Sequence, residues 1–138
     1  MNTENKKIYS FGTSTREKEE FIELVKQYKI KAIIDVRRFP TSRFEHFKKD
    51  NLQRIAEKEN IRYFYLGNEL GGYRKAGYEE HTRSASFQAG MKKLEDIAIQ
   101  LPSAFFCAEK LPWRCHRRFI ADVLKKGGWR VIHIIEKE

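Results

Sequence analysis

Cysteine, proline and methionine are scarce: the 138 residues hold two, three and two of them. Two cysteines cannot supply the disulfide framework of a small secreted scaffold, so any stable core must come from apolar packing, for which this length suffices. No apolar run approaches the roughly 20 residues that a bilayer demands of a helix, which excludes a membrane-spanning reading. Residues 1–7 carry no apolar stretch ahead of the first strand-like block, so no secretory signal is expected. The expectation is a cytoplasmic protein whose cysteines are thiols. Acidic residues are the minority, 19 against 28 lysines and arginines, and the net charge of +9 favours anionic partners such as phosphates or nucleic acid. No repeat, linker or low-complexity segment interrupts the chain, so residues 1–138 are read as one domain.

What is present is an alternation of two segment types. Ile8 to Phe11, Ala32 to Val36, Ile61 to Leu66, Ala104 to Cys107 and Trp129 to Ile135 read as strands. Ser14 and Glu17 stand at capping-box spacing, and Phe21, Leu24, Val25 and Tyr28 follow with helical periodicity. Further helices are expected near Lys49 to Glu59, along Phe87, Met91, Leu94 and Ala98, and along Cys115, Phe119, Val123 and Leu124, ending at Gly127-Gly128. Alternating strands and helices predict a three-layer α/β/α, Rossmann-like sandwich around a mainly parallel sheet of about five strands. Such sheets bind ligands at the carboxyl ends of their strands. Those ends carry Gly12-Thr13-Ser14, Asp35 with Arg37 and Arg38, Leu70-Gly71-Gly72-Tyr73-Arg74, and Cys107-Ala108-Glu109.

The stretch FFCAEKLPWRCHRRF, residues 105–119, contains both cysteines. Cys107 would end a strand, and Pro112 suits the first turn of the helix that follows. Cys115 and His116 would then lie near a helix N-terminus among arginines, where a thiol pKa falls and free N–H groups can hold an anion. Both cysteines also have a packing interpretation, since free cysteine is often buried and Cys115 is spaced to share a core face with Phe119. Cys107 and Arg114 stand one residue too far apart for a cysteine-phosphatase loop. A zinc site from Cys107, Cys115 and His116 with His81 or His133 matches no standard spacing, so no metal is expected.

Asp35 closes an apolar strand, where a carboxylate must be paired, coordinated or hydrogen-bonded. It either pairs with Arg37 or Arg38, or serves as a general acid or base while Arg37 and Arg43 clamp an anion. Gly71 and Gly72 would let the backbone approach a ligand beside Arg74. The three-glycine dinucleotide fingerprint is missing, so NAD is not indicated, and the sequence points to no other cofactor.

The ordered set Gly12-Thr13-Ser14, Asp35-Val36-Arg37 with Pro40 and Ser42-Arg43, Leu70-Gly71-Gly72 with Arg74, Cys107-Ala108-Glu109 and Cys115-His116-Arg117 resembles the DUF488 family, a domain of unknown function. The resemblance runs from the first strand to the last, and Thr13 stands where members usually carry a histidine. It implies a small α/β protein, an enzyme by virtue of its paired cysteines, with no reaction assigned.

Three functions fit these features. One is an enzyme acting on a phosphate-bearing ligand, a nucleotide or nucleic acid, with Asp35, Glu109, Cys107, Cys115 and His116 as chemical groups and Gly12, Ser14, Arg37, Arg43, Gly71, Gly72, Arg74 and Arg117 as ligand contacts. Another is a nucleic-acid-binding module whose arginines meet phosphates while Tyr63, Phe64, Tyr65, Tyr73 or Trp113 stack on bases. The last is a thiol-based redox or sensor protein built on Cys107 and Cys115.

Overall fold

The computed structural model describes residues 6–39, 44–72, 74–109 and 115–135. Pro40, Ser42, Arg43, Tyr73, Pro112, Trp113 and Arg114 lie outside the described residues. The chain runs β1 (Lys7–Gly12), α1 (Lys18–Gln27), β2 (Ala32–Asp35), a 3-10 turn (Glu45–Phe47), α2 (Lys49–Lys58), β3 (Arg62–Tyr65), α3 (Gly67–Leu70), α4 (Tyr78–His81), α5 (Ala85–Gln100), β4 (Ser103–Cys107), α6 (Arg117–Lys126) and β5 (Arg130–Ile134). The strands form a five-stranded sheet in the order β3-β2-β4-β1-β5, and every neighbouring pair is parallel.

Burial follows position in that order. The inner strands β2 and β4 are buried throughout and β1 is buried after Lys7, as their nearly continuous apolar runs require. The edge strands β3 and β5 are half-exposed and mix charged with apolar residues. One core lies between the sheet and α1, α2 and the 3-10 turn, built on Phe11, Phe21, Val25, Ile33, Phe47, Leu52 and Phe106. The other lies between the opposite face and α3, α5 and α6, built on Ile8, Ile34, Leu70, Phe87, Leu94, Phe105 and Leu124. Helices therefore cover both faces, as the alternation predicts.

Two helix starts differ from the expectation. The first helix begins at Lys18, and the Glu17 N–H donates to the Glu20 carboxylate at 3.2 Å. Ser14 is no cap, because parallel pairing continues past β1: Thr13 N–H reaches the Cys107 carbonyl at 2.8 Å and Ser14 N–H the Ala108 carbonyl at 2.9 Å. Ser14 then turns the chain with φ 46°. Similarly, α6 starts at Arg117 with His116 as its N-cap, leaving Cys115 just ahead of the helix. The one-turn helices α3 and α4 were not foreseen, since four residues are too few for periodicity to register.

Candidate functional site

Side chains alternate between the faces of a strand, so register decides which strand-end residues can meet. Asp35 pairs with Phe106 and Gly12 with Cys107. Asp35 thus points to the α1/α2 side of the sheet, whereas Cys107 belongs to the core on the α5/α6 side. The sheet itself separates two polar clusters that the sequence places close together.

On the α1/α2 side, Asp35 is fully buried and Arg37 is 4% exposed. The pair is bidentate, Nε to Oδ1 at 2.9 Å and Nη2 to Oδ2 at 2.8 Å, with the Arg37 N–H adding 3.0 Å to Oδ1. Arg37 Nη1 donates to the Phe47 carbonyl at 2.7 Å, and the guanidinium lies 5.4 Å above the Phe106 ring. The Tyr63 hydroxyl donates to Asp35 Oδ2 at 2.5 Å. Burial alone would pull the Arg37 pKa down, yet the adjacent carboxylate outweighs it and the pKa stands above the ordinary value. Burial and the Asp35 charge likewise push the Tyr63 phenol up. Every guanidinium nitrogen of Arg37 is thus engaged inside the protein.

On the α5/α6 side the two cysteines come together. Both are free thiols, Cys107 buried and Cys115 half-buried. Each thiol shifts the acidity of the other. Arg117, fully buried, holds both: its backbone N–H donates to Cys115 Sγ at 3.3 Å and its Nε to Cys107 Sγ at 3.1 Å. The rest of its guanidinium is held by Ser10 Oγ at 2.9 Å and the Glu109 carbonyl at 2.6 Å. Ser10 Oγ lies 2.5 Å from His133 Nδ1. His116 Nε2 is 2.8 Å from the Val36 carbonyl. A carbonyl only accepts, so Nε2 carries the hydrogen, and Nδ1 faces Cys115 Sγ at 3.7 Å.

These contacts drive the two thiols apart in acidity. The Cys107 thiol, against the resistance of burial, helps pull the Cys115 pKa down to about 4, with His116 and the Arg117 N–H adding to the effect. Burial first, and then the neighbouring Cys115 charge, push the Cys107 thiol up, partly countered by Arg117. Cys115 is therefore the more acidic of the two thiols. His133 is held below its ordinary value by burial and by the Arg117 charge.

The remaining candidates line the strand ends. Gly72 abuts this cluster so closely that a Cβ there would lie 3.2 Å from His116 Nδ1, and a Cβ on Gly71 would strike the Arg38 backbone. Arg74 donates to the Gly71 and Asn68 carbonyls at 2.9 and 2.7 Å. Burial, followed by the charge of Arg38, lowers its pKa, so two cations are concentrated here. Arg74 also lines an open hollow of about 320 Å³ with Gly77, His81, Arg83 and Ser84. Tyr78 donates to the Leu70 carbonyl at 2.6 Å and lies 5.3 Å from the His116 ring. The structure thus gathers Cys107, Cys115, His116 and Arg117, with the Glu109 backbone, and sets Gly72 against them. It does not bring Arg37 to Arg74, because Arg37 belongs to the buried pair on the other face. Gly12 and Ser14 contribute through the backbone: the Gly12 carbonyl accepts from Arg16 Nε at 3.0 Å.

The family model of a domain of unknown function, DUF488, matches residues 17–124. The chain belongs to the DUF488 family. No curated protein matches it, and no solved structure does. The match spans Asp35, both cysteines, His116 and Arg117, while Ser10 and His133 lie beyond it. Ser10 and Arg16 are polar partners that sequence reasoning missed, while His133 and Tyr63 entered it only as a zinc-ligand and a base-stacking candidate. Ser10 and His133 are directly paired across β1 and β5, a signal available only once those strands are known to be neighbours. Among the described residues no group of three or more histidines, cysteines or carboxylates is placed to hold a metal ion, and no helix is long and apolar enough to cross a membrane. The cluster within the DUF488 domain can present a half-buried thiolate beside an imidazole and a second thiol.

Proposed function

We propose that this DUF488 domain is an enzyme whose nucleophile is Cys115. The observation that carries this reading is the Cys115 sulfur, accepting the Arg117 N–H at 3.3 Å and facing His116 Nδ1 at 3.7 Å. A thiolate is the nucleophilic form of cysteine, and a neighbouring imidazole and unsatisfied helix N–H groups are the usual means of obtaining it near neutral pH. Cys115 is only partly buried, and the partners of its sulfur are held by α6 and by Val36.

A phosphate-bearing or otherwise anionic substrate is supported by Arg38 and Arg74 at the neighbouring strand end, where the nearby charge of Arg38 contributes to lowering the Arg74 pKa. An anion between them would offset that repulsion. The nucleic-acid module finds less support: Lys49 sits 5.2 Å from the Tyr65 ring centroid and Arg62 5.0 Å from that of Phe64, so these aromatics already carry cations on their faces.

The test is alkylation by iodoacetamide across pH, followed by peptide mapping. Cys115 is expected to react first, at a rate already level at neutral pH, and to be protected by nucleoside phosphates if the anionic reading holds. Preferential labelling of Cys107, or a Cys115 rate that climbs with pH up to the ordinary thiol range, would overturn the proposal.

A further inference from the structure

We propose that Cys107 is the resolving thiol of a two-step exchange with a small-molecule disulfide, reactive only after Cys115 has formed a mixed disulfide. This inference rests on the reading of Cys115 as nucleophile and adds a co-substrate class and an order of events. Its basis is the geometry of Arg117, which grips both sulfurs at once: backbone N–H on Cys115 at 3.3 Å, side-chain Nε on Cys107 at 3.1 Å. A nucleophile that only transferred an acyl or phosphoryl group would have no use for a second thiol at its side, nor for a buried guanidinium directed at that thiol.

The chemistry balances as follows. The Cys115 thiolate attacks one sulfur of R–S–S–R, forming Cys115–S–S–R and releasing R–S⁻. Cys107 then gives its proton to the departing thiolate and attacks the Cys115 sulfur. The Cys107–Cys115 bond forms, the bond to R breaks, and a second R–S⁻ leaves. The two cysteines lose two electrons in total and the disulfide gains them. A low-molecular-weight thiol reductant restores the pair by the reverse exchange.

The order follows from what each step changes around Cys107. In the resting state burial raises its pKa, and the Cys115 thiolate raises it further, both by charge and by accepting its hydrogen bond. Once Cys115 is a neutral mixed disulfide, both contributions from Cys115 vanish and the Arg117 charge remains. That guanidinium cannot swing away, being tied to Ser10 Oγ and the Glu109 carbonyl at 2.9 and 2.6 Å. Ser10 is itself fixed: it accepts from Arg117, so its own hydrogen points to His133 Nδ1, 2.5 Å away. The groups facing the two sulfurs are thus Arg117 and His116 from the start of α6, with Tyr78 and His133 beyond them, and the cation directed at Cys107 is Arg117.

The test mixes the reduced 138-residue chain with dithiobis(nitrobenzoate), following the coloured thiol and the protein mass. The wild type should release two equivalents in sequence, keep no adduct and end lighter by two hydrogens. Cys107→Ser should release one and retain the adduct on Cys115, with Cys107→Ala as a second variant should the serine misfold. A wild-type protein that stops at one stable adduct, or that accumulates two, overturns the resolving role and leaves Cys115 standing as nucleophile. No reaction, or an adduct on Cys107 alone, overturns both readings.

Discussion

The sheet carries one buried charged cluster on each face, and the two are built on opposite principles. Asp35, Arg37 and Tyr63 form a closed set: the Asp35 carboxylate and the Phe47 carbonyl occupy every nitrogen of the guanidinium at 2.7 to 2.9 Å, and the Tyr63 phenol donates to Asp35. Cys107, Cys115, Arg117 and His116 use soft sulfur acceptors at 3.1 to 3.7 Å, with the more acidic thiol on the half-buried Cys115. The first arrangement has no valence to offer a ligand. The second holds its charge by several weak contacts, each replaceable during a reaction. Saturation marks structure, and an incompletely satisfied polarisable atom marks chemistry.

The largest effect belongs to the closed cluster. Asp35→Ala would leave the Arg37 guanidinium buried without its carboxylate, and removing one partner of a buried pair costs about 3–5 kcal/mol. Denaturant melts should show that loss, while the fraction still folded should alkylate Cys115 at the wild-type rate. A mild loss of stability, or a parallel loss of Cys115 reactivity, would show that the faces are not independent.

The sequence made the layers of this fold readable because β1, β2 and β4 are nearly continuous apolar runs and their intervening helices are periodic. It did not fix the face on which a strand-end residue points, since that depends on the register setting Asp35 against Phe106. Arg37 and Arg74 therefore both read as strand-end ligand contacts, yet the Arg37 guanidinium is committed to Asp35 and Phe47 and that of Arg74 to the Gly71 and Asn68 carbonyls. The burial of Arg117 was legible in principle. Arg117, Ile120, Ala121 and Leu124 repeat at i, i+3, i+4 and i+7, so Arg117 falls on the buried face of α6. A basic residue on that face reads as a ligand contact until Cys107 is known to lie beneath it. The link from Ser10 to His133 needed the strand order itself, which periodicity does not encode.

A second, smaller effect separates the clusters by pH. The folded Cys115 thiol sits at about 4 against an ordinary 9.0, so its stabilisation is complete above the unfolded value and is lost as pH falls. His133, depressed from 6.5, adds loss in the same direction only at the acid end. Between pH 6.5 and 9 the unfolded chain binds a proton at Cys115 that the folded chain does not. Stability should therefore rise with pH across that window, by at most about 1.4 kcal/mol per unit for one proton, less where water shares the charge. Cys115→Ser should flatten the rise. Cys107, raised when folded, contributes the opposite trend only above the ordinary thiol range. A pH-independent wild type would mean that Cys115 is an ordinary protonated thiol.

The smallest effect is the most specific. Gly72 has no positive φ to protect, so alanine fits its backbone, yet the added Cβ would lie 3.2 Å from His116 Nδ1, tighter than ordinary contact. The imidazole is anchored at its other nitrogen by the Val36 carbonyl at 2.8 Å, so it must pivot, and the 3.7 Å approach of Nδ1 to the Cys115 sulfur is what changes. Gly72→Ala should slow Cys115 alkylation by less than about tenfold, under ~1.4 kcal/mol, with little change in stability. Tyr63→Phe is the mirror experiment. It deletes a hydroxyl from the closed cluster, should cost about 1.5–3 kcal/mol of stability as a hydrogen bond to a charged group, and should leave Cys115 alkylation untouched. If Tyr63→Phe instead slows alkylation while Gly72→Ala does not, reactivity depends on the Asp35 face, and the division between a structural and a chemical side of the sheet fails.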